Sequence, residues 1–302
     1  MPKICYVEKE FRPASMALIL KANEIIAEYA AEGFDLTLRQ LYYQFVARDL
    51  ISNKQSEYKR LGSVINDARL AGLLDWDAIV DRTRNMQKNS HWKTPADIVD
   101  TCARSYAIDK WARQDMRPEV WIEKDALVGV ISGVCEELDV PYFSCRGYNS
   151  QSEMWSAGRR LRKWAKFKGQ IPIIFHLGDH DPSGIDMTRD ITDRLELFMG
   201  GLKVDRLALN MDQVEEHGPP PNPAKLTDTR CDAYIAQFGG NSWELDALDP
   251  RTLEDTIRRA VLAVRDEDLW DEAVEEEQEA RRLLAVVADD WDGVQEWAEG
   301  KE

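Results

Sequence analysis

Residues 171–186 read IPIIFHLGDHDPSGID. The first seven, apolar and rich in isoleucine, form the clearest strand pattern in the chain. Gly178 then breaks the run, and a helix is expected over about 186–198. Upstream, residues 118–122 (PEVWI) read as a buried strand leading into a helix over 124–138. A second short strand at 140–144 leads into a helix over 152–167. Strands alternating with helices predict an α/β fold with a mostly parallel sheet and right-handed crossovers.

In open sheets of this kind, functional groups gather at the carboxyl ends of the strands. Glu123 ends the first strand, and Asp179 and Asp181 follow the third. Two residues apart on an extended segment, the aspartates point the same way. Three acids at one edge repel one another unless a cation sits among them. Magnesium suits such oxygen ligands and keeps waters that phosphates can replace. Gly178 and Gly184 would allow a tight backbone. The alternative from spacing alone is structural: Asp179 or Asp181 caps the helix after Pro182, and Glu123 pairs with a lysine.

The first 90 or so residues have a different pattern. Leu18, Ala22, Ile25 and Tyr29 fall at helical spacing, with Gly33 as a C-cap. Thr37 and Gln40 form a T-x-x-Q capping box that opens a second helix. A third helix is expected over 56–70, with Leu61, Val64, Ile65 and Ala68 inward, and residues 75–84 (DWDAIVDRTR) as a short wing. Three helices and an extended piece predict a winged helix-turn-helix domain, whose third helix would meet DNA through Lys59, Ser63 and Asn66, with Arg60 and Arg69 flanking. On the second helix, Leu38, Leu41, Tyr42 and Phe45 make one apolar face, which places Tyr42 in the core. Tyr43 lies off that face, beside Arg39 at i, i+4.

The net charge of −16 argues against a nucleic-acid ligand only if it is evenly spread. It is not: residues 1–200 carry 28 Lys and Arg against 29 Asp and Glu, and residues 201–302 carry 11 against 26. The acidic run near 266–279 reads as a solvated helix face, or as a tail that docks partners or mimics DNA. One helix, 156–168, carries Arg159, Arg160, Arg162, Lys163 and Lys166 on a single arc, with Arg159, Lys163 and Lys166 as candidate phosphate contacts. The ten tryptophans are expected mainly in the core and at a subunit interface. The four histidines show no metal-ligand spacing, and His180 is assigned no role. Five scattered cysteines without C-x-x-C spacing, no apolar stretch long enough for a bilayer, and an opening segment without a secretory h-region predict a cytoplasmic protein without a membrane partner, and DNA as its ligand would make it nucleoid-associated.

Residues 120–127 (VWIEKDAL), followed by 177–186 (LGDHDPSGID), resemble the Toprim domain of topoisomerases and related nucleases. The version they resemble most is that of the topoisomerase VI A subunit and the meiotic double-strand-break protein. Residues 37–43, Thr-Leu-Arg-Gln-Leu-Tyr-Tyr, resemble that family's T-x-R-x-x-Y-Y motif, and 243–248 (WELDAL) its later acidic segment. The resemblance covers roughly 36–248, in matching order, in a compact stand-alone form. It implies Glu123, Asp179 and Asp181 as Mg²⁺ ligands and Tyr43 as the nucleophile toward double-stranded DNA. Arg39 would steady the phenolate or the scissile phosphate. It also implies a homodimer whose metal serves the partner's tyrosine, and in that family an ATPase B subunit drives strand passage; this chain has no P-loop. The resulting expectation is a winged-helix domain over 1–110, a Toprim domain over 111–250, and an acidic helical extension over 251–302. Two rivals stand beside it: a Toprim nuclease that uses water, and a DNA-binding protein that does not cleave.

Overall fold

The computed structural model describes residues 3–79, 89–225 and 227–301. The amino-terminal helices are α1 (Pro13–Ala31), α2 (Leu38–Ala47) and α3 (Gln55–Leu70). Helix α1 starts on a proline at N1, where the missing N–H costs nothing, and stops before Gly33, whose φ of +86° suits glycine. Helix α2 opens on the full capping box: Thr37 N donates to Gln40 Oε1 at 2.9 Å, and Gln40 N donates to Thr37 Oγ1 at 3.3 Å. The three helices share one core of Ile19, Ile25, Leu41, Phe45, Leu61 and Ile65. Ala247, from far along the chain, belongs to the same core. The expected wing runs beyond the described residues at 80–88. Before that gap, 75–79 is mostly turn, and Ile79 bridges to Leu36.

After α4 (Pro95–Ser105) comes the sheet. Its strands are β1 (Met116–Ile122), β2 (Tyr142–Ser144), β3 (Ile171–Leu177) and β4 (Lys203–Ala208), all parallel, in the order β2-β1-β3-β4. Helix α5 (Val128–Glu137) joins β1 to β2, α6 (Gln151–Lys168) joins β2 to β3, and α7 (Pro182–Met199) joins β3 to β4. Both faces are covered, as parallel sheets require. Val120, Ile122, Ile173 and Phe175 face α5. Trp121 and Ile174, one residue out of phase, face α6 and α7. Gly158 lets those two helices close up: a Cβ there would stand 2.5 Å from Phe198 Cβ. The register pairs Ile122 with Leu177 and Leu177 with Ala208, so three strands end level.

The rest is helical: α8 (Met211–His217), α9 (Cys231–Phe238), α10 (Pro250–Leu262), α11 (Glu267–Asp289) and α12 (Trp291–Glu299). The proline-rich sequence at 216–230 (EHGPPPNPAKLTDTR), whose composition reads as an irregular loop, is ordered in part: α8 extends to His217, and Asn222–Pro223 pairs with Asn241–Ser242. Helix α10 buries Leu253, Ile257 and Val261 in the sheet's own core. The acidic helix α11 is not solvated all round, because one side lies on α4. Its Glu277 is buried, accepting from Ile108 N at 3.0 Å and pairing with Lys110 at 2.7 Å and Arg281 at 2.9 Å. Among the described residues no helix is long and apolar enough to cross a membrane.

One histidine ties this core to pH. His176 in β3 is wholly buried; its Nδ1 meets Thr188 Oγ1 at 2.8 Å and its Nε2 has no partner among the described residues. Burial, with the charge of Arg206 adding to it, lowers its pKa to about 3. The unfolded chain thus binds a proton that the folded chain refuses between about pH 6.5 and 3, so folding loses stability as pH falls through that window. Urea unfolding should show His176 contributing a loss of up to ~1.4 kcal/mol per pH unit there. His176→Gln should remove that component, and equal pH slopes in the two proteins would disprove it.

Candidate functional site

The level strand ends place Glu123, Asp179 and Asp181 on one edge. Glu123 Oε2 accepts the backbone N–H of Asp179 at 2.8 Å, tying the end of β1 to the loop after β3. That loop is tight. A Cβ on Gly184 would lie 2.2 Å from Asp179 O, and one on Gly178 would lie 3.0 Å from Glu123 Oε2. Behind it, Arg206 of β4 donates to the carbonyl oxygens of Gly178 (2.9 Å), Asp179 (2.7 Å) and Gly184 (2.9 Å). Burial brings this guanidinium down to about 10, against the upward pull of Glu123, Asp179 and Asp181. Arg206 thus fixes the loop's shape and adds positive charge beneath its acids.

The acids do different work in this state. Asp181 caps α7, with Oδ1 accepting from Gly184 N at 2.7 Å and Ser183 Oγ at 2.9 Å, so the capping alternative is realised there. Asp179 is buried and turns Oδ1 toward Leu245 N at 2.8 Å and Lys124 Nζ at 3.0 Å. Burial, with Glu123 adding to it and Lys124 opposing, lifts the Asp179 carboxyl to about 7. Burial and the charge of Asp181 likewise raise Glu123. Among the described residues no group of three or more His, Cys, Asp or Glu side chains is disposed to hold a metal ion. The donor chemistry still suits one: three hard carboxylates on a sheet edge, two of them pushed toward protonation by burial and mutual repulsion. Lys124 already holds Asp179 Oδ1, so a cation at this edge would share that carboxylate with it.

Lys124 is the feature that spacing did not single out. Its Nζ lies 3.0 Å from Asp179 Oδ1, 3.0 Å from Glu244 Oε2 and 2.7 Å from Asp246 Oδ1. Burial alone would lower its pKa, but Asp179, Asp246 and Glu244 outweigh it and raise it. Its adjacency to Glu123 was the only signal in the sequence, and a lysine beside an acid ordinarily reads as surface charge. Glu244 and Asp246 reach the site because His180 and Trp243 form an antiparallel bridge, with N···O distances of 2.8 and 2.9 Å. The His180 ring adds a 2.7 Å contact to Tyr234 Oη.

The same two acids hold the tyrosine-bearing helix. Arg39 pairs with Glu244 and, at 2.5 Å, with Asp246. Its guanidinium lies 5.8 Å from the centre of the Tyr43 ring, as the i, i+4 spacing anticipates. Its charge is shared with Glu244 and Asp246 while it also lies beside the phenol. Tyr43, placed off the apolar face by helical spacing, is nevertheless only 4% exposed, the same as Tyr42. The short turn Leu245–Ala247 packs on α2, and Ala247 joins the core that contains Tyr43, which a helical wheel cannot anticipate. Burial first, then Asp246 and Glu244, pushes the Tyr43 phenol above its usual range, with Arg39 and Lys124 opposing. Among the described residues its hydroxyl has no hydrogen-bond partner. Beside it, Arg39, Tyr42, Tyr43, Asn53, Tyr58 and Lys225 help to line a cavity of about 460 Å³.

The expected DNA contacts divide. Lys59, Arg60, Ser63 and Asn66 are exposed on α3, with Arg60 held by Glu57. Arg69 is not available: it donates to the carbonyls of Trp76 and Ile79 and stacks on Trp76 at 4.8 Å. Arg159, Lys163 and Lys166 are exposed on α6. That helix starts by the carboxyl edge and runs back to the start of β3, so its basic half leads away from Glu123 and Asp179. No protein-family model and no curated protein sequence matches this chain.

Gly184→Ala should destabilise the fold by about 1–3 kcal/mol or more in chemical denaturation, since the added methyl meets backbone that cannot give way. Gly133→Ala, where nothing lies within 4 Å of an added Cβ, serves as the control and should be neutral or mildly stabilising. Equal stability of the two variants would contradict the loop geometry.

Proposed function

We propose that the chain is a magnesium-dependent DNA-cleaving enzyme resembling the topoisomerase VI A subunit. In this reading the amino-terminal helices serve as a winged-helix domain and the sheet as a Toprim domain. The observation that carries it is the chain of ion pairs from Arg39 through Glu244 and Asp246 to Lys124 and Asp179. It links the two separate motifs, the tyrosine motif at 37–43 and the acids at 123 and 179–181, in one network.

In the reaction, Tyr43 Oη attacks a backbone phosphorus. The phosphotyrosyl bond forms as the bond to the departing sugar oxygen breaks; the phenol gives up its proton and the sugar oxygen gains one. Storing the bond energy in this way permits religation. Glu123, Asp179 and Asp181 would hold Mg²⁺, which supplies positive charge against the transferring phosphate. Arg39 orients Tyr43 and, once free of Glu244 and Asp246, can reach the phosphate oxygens. Tyr43 is largely buried but borders the cavity beside Arg39, and widening of that opening would let a backbone phosphate reach it. A double-strand break needs two tyrosines and hence a homodimer, and strand passage would need an ATPase subunit. The exposed row on α3 would read the duplex.

The burial of Tyr43 favours a second reading, hydrolysis by water at the same carboxylates. Incubation with supercoiled plasmid and Mg²⁺, followed by detergent with or without protease, separates the two. The proposal expects linear DNA bound to protein until proteolysis, reduced at least 100-fold in Tyr43→Phe and Asp179→Ala, roughly the loss of a positioned catalytic group. Free ends that survive Tyr43→Phe but not Asp179→Ala select hydrolysis. Duplex binding without cleavage, in the presence of Mg²⁺, selects a non-cleaving binder.

A further inference from the structure

Helix α6 differs from the rest of the surface. From Met154 to Lys168 it carries no acidic residue, in a chain of net charge −16. Arg160 is tied to the buried Glu119 by two hydrogen bonds of 2.9 Å. Among the described residues, Arg159, Arg162, Lys163, Lys166 and Lys168 pair with no carboxylate, whereas surface arginines elsewhere, such as Arg189 and Arg282, do. Two large aromatics share the same arc: Trp155 is 48% exposed and Phe167 73%. The Arg159 guanidinium lies 4.8 Å from the Trp155 ring centre, and Lys166 Nζ lies 5.8 Å from that of Phe167. Trp155, Arg159, Arg162, Lys163, Lys166 and Phe167 line an open groove of about 640 Å³. At 1.5 Å per residue the two rings are roughly 18 Å apart along the axis.

We propose that this face is a track for single-stranded nucleic acid, with phosphates on the unpaired cations and unstacked bases on Trp155 and Phe167. The cations call for a polyanion. The aromatics decide which one: in a duplex every base face is covered by its neighbours, whereas a single strand offers its faces to exposed rings. An acidic peptide would satisfy the charge and leave both rings in water. The inference goes beyond the cleavage reading, since it needs neither Tyr43 nor a metal.

Fluorescence anisotropy in the Tyr43→Phe background, with a labelled oligothymidylate, an abasic oligomer of equal length and a blunt duplex, provides the test. Trp155→Ala and Phe167→Ala should each weaken oligothymidylate binding about tenfold, in line with one stacked base. They should leave the abasic oligomer unchanged, and Trp155→Phe should restore most of the loss. Arg159→Gln with Lys163→Gln should weaken both oligomers and reduce the salt dependence. Equal affinity for oligothymidylate and abasic oligomer, or a preference for duplex, would overturn the proposal. So would self-association in sedimentation that Arg159→Gln with Lys163→Gln abolishes, or stronger competition by polyglutamate than by oligothymidylate. Failure here would leave plasmid cleavage intact, and failure of cleavage would leave oligothymidylate binding intact.

Discussion

The Lys124 ammonium, shared by Asp179, Glu244 and Asp246, is the contact on which the rest of the site depends. Three carboxylates at this density are unfavourable without a cation, and Lys124 is that cation in this state. Removing a charge from such a group, while its partners stay buried, costs on the order of 3–5 kcal/mol. The lysine also sets the geometry. It pairs with Asp179 and fastens the 243–248 segment across the sheet edge through Glu244 and Asp246. Through the same two acids it connects to Arg39, and so to α2.

This network joins α2 to the 243–248 segment and the sheet edge. Tyr43 is largely buried, and burial, then Asp246 and Glu244, pushes its phenol above the usual range. A divalent cation entering among Glu123, Asp179 and Asp181 would compete with Lys124 for Asp179. An anionic backbone entering beside Arg39 would compete with Glu244 and Asp246. Both events weaken the same ion pairs, so binding metal and binding DNA would each favour release of the tyrosine helix. In the proposed enzyme this arrangement would keep the nucleophile covered until substrate and metal are both in place.

The parts of the fold legible in the sequence are those set by local rules. The apolar run 171–177 is a strand, Thr37 and Gln40 form their box, and Gly184 sits where no side chain fits. The alternating pattern gave the right class, a four-stranded parallel sheet between helices. What escaped depends on residues far apart in the chain. Tyr43 looks exposed on a wheel because its cover comes from about 200 residues later. Arg69 looks like a DNA contact until the carbonyl of Trp76 claims it. Lys124 and Arg206 look like ordinary charges, since nothing local shows that carboxylates or carbonyls converge on them. The acidic helix α11 looks fully solvated because its partner, α4, lies on the other side of the sheet in sequence.

The central claim is that the tyrosine motif and the sheet-edge acids form one reaction centre. Its most direct test is to trap the protein on DNA with Mg²⁺, digest both components, and locate the residual nucleotide by peptide mass spectrometry. The account predicts a nucleotide on the peptide containing residues 40–48, attached at Tyr43, and its disappearance in Asp179→Ala. A nucleotide on a different residue, or one on Tyr43 that persists in Asp179→Ala, would contradict it.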